Sequence, residues 1–202
     1  VSLASGLQRM TTQSLGSVGD LTRITVFPAR FIRSFGGQAS GGNEAILSEK
    51  AIAGFRKLEG VVAATPQEWL SGGATLQYNR LVAGANVIGL DAHEAAKLGF
   101  ELASGQNRLG RWQALAGARV AAGFSDPQTG AQVERPPDLQ GQGVQLVLSR
   151  VGDDAQPVER TVRLRIVGVL AETGGSNDYD LILALDDVLE LNTWYTGARA
   201  NP

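Results

Sequence analysis

The residues of this sequence that could do chemistry are few, and they are carboxylates and aromatic rings. Asp178, Asp180, Asp186 and Asp187 lie close together, and carboxylates so placed could hold a hard cation or divide acid and base duties. The apolar run 181–185 stands between the two pairs, however. A strand of that length sends them to opposite ends, one pair into a loop and the other to the start of a helix, so a structural role is preferred. His93 is the only imidazole. Between Asp91 and Glu94, at the start of a short helical pattern, it reads as a solvated first-turn residue. A Ser-His-Asp hydrolase would rest on it alone, and no Gly-x-Ser-x-Gly elbow supplies the serine. Trp69, Trp112 and Trp194 could stack sugars or nucleobases, but they are dispersed and not interleaved with basic residues. Trp69 and Trp112 therefore read as packing residues, while Trp194-Tyr195 has the amphipathic rings that suit a membrane interface. The glycine-rich segment 35–42 reads as a mobile loop, because no Gly-Lys-Ser/Thr follows to make it a phosphate cradle. No residue is assigned as catalytic, cofactor-binding or metal-ligating.

Composition narrows the classes further. The 202-residue chain carries 19% charged residues and a formal net charge of -2. It has no basic excess to hold a nucleic-acid backbone or an anionic membrane, so nucleic acid is excluded as a partner. With no cysteine and one histidine, there is no disulfide framework, no thiolate chemistry and little for a transition metal. No apolar run approaches the roughly 20 residues that span a bilayer. The chain opens on Val1, in a helical pattern already under way at Leu3, Leu7 and Met10, which is the expectation for a fragment of a longer protein.

Whatever such residues do, the elements around them must hold a shape, and 162–185 is the stretch the rest is organised around. Val162, Leu164 and Ile166 alternate with Arg163 and Arg165, then the run becomes apolar on both faces through Gly168, Val169 and Leu170. That is a strand entering the core. The cluster Thr173-Gly174-Gly175-Ser176-Asn177 predicts a loop, and 181–185 predicts a second central strand. Ahead of these, a first helix is expected to end near Leu15-Gly16, and Leu21, Ile24 and Val26 lead into a strand stopped by Pro28. A helix over 47–58 should bury Leu47, Ala51, Phe55 and Leu58 and end at Gly60 in a left-handed cap. A strand over 61–64 closed by Pro66 would complete a crossover in a mixed sheet. From Ser71 the segments become short and β-like, at 76–78 and 86–90. Asp91 and Glu94 have capping-box spacing, as do Asp187 and Glu190 before a helix bearing Val188, Leu191 and Tyr195. A strand at 112–115 and a helix at 118–124 precede an exposed loop at 125–142. Val144, Leu146 and Leu148 then pair back through 159–166 as a hairpin turning at Gly152-Asp153-Asp154.

The succession resembles the extracytoplasmic core domain of MacB-type, FtsX-like ABC transporter permeases. The similarity runs through Leu15-Gly16, Ile24-Thr25-Val26-Phe27-Pro28, Leu58-Glu59-Gly60-Val61 with Pro66, and Ile88-Gly89-Leu90-Asp91. It continues through 98–105, Gly117-Ala118-Arg119-Val120-Ala121, Ile166-Val167-Gly168-Val169-Leu170 and 181–191. Gln106 stands where that family usually has an arginine, and the loop 125–142 is longer than the family pattern. The family commonly continues past the last helix with another strand and helix, whereas this sequence stops at Pro202, which predicts an exposed sheet edge.

The resemblance implies an α+β, two-lobed fold: a discontinuous porter-like lobe of 1–70 with 158–202, and an inserted, smaller β-rich lobe of 71–157. It implies a mechanical, non-enzymatic domain on the periplasmic or extracellular side of a membrane, with no cofactor. The domain would couple ATP-driven helix motion to export or extraction of a peptide, lipid, lipoprotein or antibiotic. Implied partners are the chain's own flanking transmembrane helices, a second permease copy, a cytosolic ATPase and a periplasmic adaptor. Two other readings stay open. A stand-alone binding or adhesion module would show a concave apolar pocket with convergent polar groups. A carboxylate-dependent hydrolase would need Asp178 or Asp180 to meet another carboxylate in a cleft.

Overall fold

Alternation of apolar and polar residues over 144–166 builds the longest pairing in the molecule. The computed structural model describes residues 24–27, 47–152 and 154–197. Their elements are α1 (Glu49–Phe55), β1 (Gln67–Trp69), β2 (Ala74–Tyr78), β3 (Leu81–Leu90), α2 (Ala92–Ala95), β4 (Leu102–Gly105) and β5 (Gln113–Ala116). They are followed by β6 (Gly143–Val151), β7 (Pro157–Leu170), β8 (Asp180–Ala184) and α3 (Leu185–Thr196), with 3-10 turns at Ala96–Leu98, Val120–Gly123 and Ser176–Tyr179. The fold is α+β, with one mixed sheet. β6 and β7 form the expected hairpin, Val144 facing Leu164 and Leu146 facing Val162. These residues are buried while Arg163 and Arg165 between them are exposed.

The pairing closes on itself. β3, β2, β6, β7 and β5 follow one another across the sheet, β8 pairs antiparallel with β5, and β8 returns to β3 in parallel register, Val87 beside Leu181 and Gly89 beside Leu183. Six strands therefore make a closed ring, with β1 and β4 attached to its outside along β3 and β7. Closure removes most free edges, and the two unringed strands add edges of their own. β2, β3, β5 and β6 come from 71–157 and β7 and β8 from 158–202, so the two segments share the ring.

Continuous apolar runs are explained by the ring having two buried sides. Leu181, Leu183, Ala114, Ala116, Leu164 and Ile166 belong to one core with Phe124 and Leu191. Their strand neighbours Ile182 and Leu115 point the other way, into a second core with Ile88, Leu90, Leu109 and Leu170. Period-2 geometry sorts each strand between the two. β7 and β8 are both central, as expected, but β5 lies between them. Gly168 is required by a neighbouring strand end rather than by a helix: a Cβ there would lie 2.9 Å from the Gln106 carbonyl oxygen and 3.0 Å from Leu115.

Several expectations fail at the N-terminal side. Residues 24–27 and 61–66 are not in strands, and Ile24 and Val62 are each 85% exposed. The strand begins after Pro66 instead, since pairing with Ile88–Leu90 starts at Gln67, and the predicted crossover is absent from the described residues. α1 buries none of its residues, and Leu58 is 57% exposed. Its apolar stripe faces no core among the described residues; Gly60 does take the expected left-handed turn, at φ 84°. Leu81–Leu90 is a single strand despite Gly84 and Gly89, turned from β2 at Asn79, whose φ is 53°. The loop 125–142 is pinned rather than free: Leu139 is buried, and Gln142 accepts from the Ile166 N–H at 2.9 Å. The first helix and the glycine-rich segment 35–42 lie outside the described residues.

Candidate functional site

The end of the ring where β8 begins carries a groove of about 1160 Å³. Five segments make its walls: residues 25–27, β1 with the residues after it, the middle of β3, the turn before β4, and the end of β7 with the loop to β8. Each wall is fixed by local chemistry. On the β1 side, Asn192 of α3 is buried, its Oδ1 accepting from the Ser71 N–H at 2.7 Å and its Nδ2 donating to the Trp69 carbonyl at 2.9 Å and Glu68 Oε1 at 3.0 Å. Trp69 lies stacked on Phe27, ring centres 6.0 Å apart and planes 13° apart, so it is an aromatic wall and half exposed rather than a core residue.

On the opposite side, Asp178 organises the loop 173–178. Its carboxylate accepts from the Thr173 N–H at 3.0 and 3.2 Å, from Thr173 Oγ1 at 3.0 Å and from the Gly174 N–H at 2.7 Å. Its own carbonyl takes the Arg119 N–H at 2.7 Å. Gly117 sits against this loop because a Cβ would overlap the carbonyl oxygens of Asn177 and Asp178. Asp178 is thus consumed by structure.

Asp180 is different. It opens β8 beside Asn86 of β3 and lines the groove, half-buried. Its carboxyl is pushed up to about 6 by burial. Burial, not a neighbouring carboxylate, is the cause of that shift. Glu101 and Glu172 also line the groove, Glu172 paired with Arg119. No trio of His, Asp or Glu suited to a metal occurs among the described residues.

The second carboxylate pair is at the far end of β8, as its strand length requires. Asp186 is exposed. Asp187 is buried and does not cap α3, whose N-cap is Ala184 with no side-chain bond. It instead accepts from the Trp112 N–H at 2.7 Å, holding that residue at φ 53°. Burial raises the Asp187 pKa, against the lowering effect of the Trp112 hydrogen bond. Glu190 does not complete a capping box; it pairs with Arg111 and Arg160. Asp91 does cap α2, accepting from His93 N–H at 2.9 Å and Glu94 N–H at 3.0 Å. The reciprocal half of that box is replaced: the Asp91 N–H goes to Thr65 Oγ1 and Glu94 pairs with Lys97. His93 is exposed in the first turn, as expected. Trp194 packs on the core under Arg150, 5.1 Å from the ring centre.

Sequence reasoning did not assemble the groove. Asn86 carried no motif, and Phe27 and Glu101 stood in family-pattern stretches without any role attached; the one signal for chemistry was the acidic, glycine-rich loop 172–180.

A family model described as the MacB-like periplasmic core domain matches residues 1–200. No curated protein matches. Among solved structures, the chain is similar to the extracellular domain of the noncanonic ABC-type transporter YknZ from Gram-positive bacteria, at 12% identity over 76% of this chain and 68% of that one, TM-score 0.45. It is also similar to the periplasmic region of MacB from Actinobacillus actinomycetemcomitans, at 13% identity over 73% of this chain and 59% of that one, TM-score 0.41.

Proposed function

We infer the role of this chain from its family: it belongs to the MacB-like periplasmic core domains, which are extracytoplasmic parts of ABC-type transporter permeases and not an enzyme class. The domain couples ATP-driven motion of flanking transmembrane helices to export or extraction of a peptide, lipid, lipoprotein or antibiotic. It works beside a second permease copy, with a cytosolic ATPase and a periplasmic adaptor as further partners. The family match over 1–200 carries this reading. The closed ring supports it mechanically, because strands buried on both sides resist deformation and pass a displacement on rather than absorbing it. The porter-like lobe of 1–70 with 158–202 and the inserted lobe of 71–157 belong to the same proposal, joined where β6, β5 and β4 pair with β7 and where β5 and β3 pair with β8. No helix among the described residues is long and apolar enough to cross a membrane, so the moving helices would be supplied by flanking sequence.

The test uses the whole permease with its ATPase in vesicles. The chain has no cysteine of its own, so once any cysteine elsewhere in the permease is replaced, Val151→Cys, at a tip position 74% exposed, takes one spin label per copy. The distance between the two labels should change by several Å on ATP addition. An unchanged distance while ATP is being hydrolysed would sink the coupling.

A further inference from the structure

The ring leaves part of β7 with one side uncovered. β7 starts at Pro157, but β5, its neighbour on the side away from β6, joins it only at Arg165, opposite Gln113. Among the described residues no strand covers that side of 157–164. The hydrogen bonds at the covered end say which groups face outward. The Ile166 N–H goes to Gln142 on the β6 side, and the Arg165 N–H goes to Trp112 on the other. The β6–β7 register runs unbroken back to Pro157, so the backbone groups alternate and those of Glu159, Thr161 and Arg163 point away from β6. The side chains of all three are exposed. Such a row of free donors and acceptors is a template for another strand.

The ends of the edge decide what fits it. The hairpin turn bounds it before Pro157 and β5 bounds it at Arg165, so its midpoint is Thr161. Two copies related by a two-fold axis overlap fully along it when Thr161 faces Thr161, and that register sets Glu159 of each copy opposite Arg163 of the other. Cross-strand pairs of opposite charge support a sheet, and like charges oppose it. Within one copy these two side chains face only neutral residues of β6, Glu159 opposite Ser149 and Arg163 opposite Gln145. Charges on an edge ordinarily deter pairing; the two-fold turns both of these into attractions.

We propose that two copies of this chain join antiparallel along 157–165, so that β6 and β7 of one copy continue into β7 and β6 of the other, with two Glu159–Arg163 pairs flanking the axis. A second copy fits better than an unrelated strand because the charge order along the edge is its own complement when reversed. The contact is isologous, as a closed dimer requires. It names the surface through which the second copy of the proposed function meets the first, and it rests on that reading only for the two copies being held near each other; motion of the copies makes or breaks it.

The experiment uses the 202-residue chain, which has no cysteine, without ATP, so its failure leaves the ATP-dependent distance change standing. Concentrated Thr161→Cys is oxidised with copper–phenanthroline and run on a non-reducing gel. Residues facing each other in a hydrogen-bonded antiparallel pair have Cα atoms about 5.5 Å apart, within the span of a disulfide. Thr161→Cys should therefore become a linked dimer while Val151→Cys, more exposed but remote from the axis, stays monomeric. In the Thr161→Cys background, Glu159→Arg and Arg163→Glu should each slow linkage roughly fivefold or more, since each sets like charges opposite one another twice. The two changes together should restore it. One raises the net charge and the other lowers it, so slowing by both cannot come from overall charge. A Thr161→Cys chain that stays monomeric, Val151→Cys linking as fast, or a double exchange no faster than the single ones would overturn the proposal.

Discussion

Replacing Asp178 by asparagine should cost the fold about 3 kcal/mol, more than its position in a surface loop would suggest. The side chain is only 2% exposed, and both oxygens are surrounded by donors: the Thr173 N–H, the Thr173 hydroxyl and the Gly174 N–H, at 2.7 to 3.2 Å. Asparagine has the same shape but exchanges one acceptor for an NH2. Whichever way the amide turns, that group meets a donor, either from Thr173 or from Gly174. Loss of one charge-assisted bond contributes ~1.5–3 kcal/mol and the opposed donors add to it. Alanine removes all the bonds but lets water reach the freed N–H groups, since Thr173 and Gly174 are exposed; it should cost about as much as asparagine, not more. Urea unfolding followed by tryptophan fluorescence gives the free energies, and at ~2–4 °C per kcal/mol the melting temperature should fall by roughly 6–12 °C. Amide exchange should quicken at Thr173 and Gly174 first. If Asp178→Asn unfolds within about 0.5 kcal/mol of the parent, the carboxylate is not what holds this wall of the groove.

Gly117→Ala should destabilise by about 3 kcal/mol or more by thermal denaturation, because its Cβ would overlap main-chain oxygens of Asn177 and Asp178 that cannot swing aside. Gly84→Ala, with open space around the new methyl and no positive φ, should instead be neutral or slightly stabilising in the same assay. Asp180→Asn should stabilise the chain at pH 7. The folded carboxyl titrates at about 6 against an ordinary 3.8, so the folded state binds the proton first and the charged form opposes folding. Wild-type stability should therefore rise relative to the variant as pH falls from 7 through 6 toward 4. Half-exposure limits the difference at pH 7 to about 1 kcal/mol, and urea midpoints at several pH values would show a difference that vanishes near pH 4 or refute the burial argument.

How much of this could be read from the sequence depended on whether the determining contact was local. The β6–β7 hairpin was legible because one face of it is wet: Arg163 and Arg165 reveal the period that Val162, Leu164 and Ile166 follow. The Asp91 cap was legible because its partners are two and three residues away. Ring closure was not, since nothing near Asn86–Leu90 announces that it will lie beside Asp180–Ala184. The same spacing logic misread Asp187, because a helix-start aspartate looks alike whether it caps its own helix or reaches the Trp112 N–H across the molecule. It misread 47–58 as well, where an apolar stripe says that a face wants cover but not that the cover is near. In the groove, only the acidic loop was visible; the aromatic wall needed Phe27 and Trp69, far apart in the chain, to be brought into contact.

The two walls of the groove are held by independent devices, and that bears on how it would bind. Asn192 ties the β1 side to α3 through three hydrogen bonds, and α3 is itself seated tightly on β3, where a Cβ on Gly89 would come within 2.8 Å of Val188. The other wall is held by Asp178 and by the close approach of Gly117. Between them the floor is the β3–β8 pairing that closes the ring. A site built this way is largely formed before a ligand arrives, so little ordering is charged against the contacts it makes. Asp180 is the first residue of the strand that closes the ring, and α3 begins at that strand's other end. β8 therefore joins the groove to α3 with no loop between them, so the wall at Asp178, the floor and the wall at Asn192 are parts of one continuous framework.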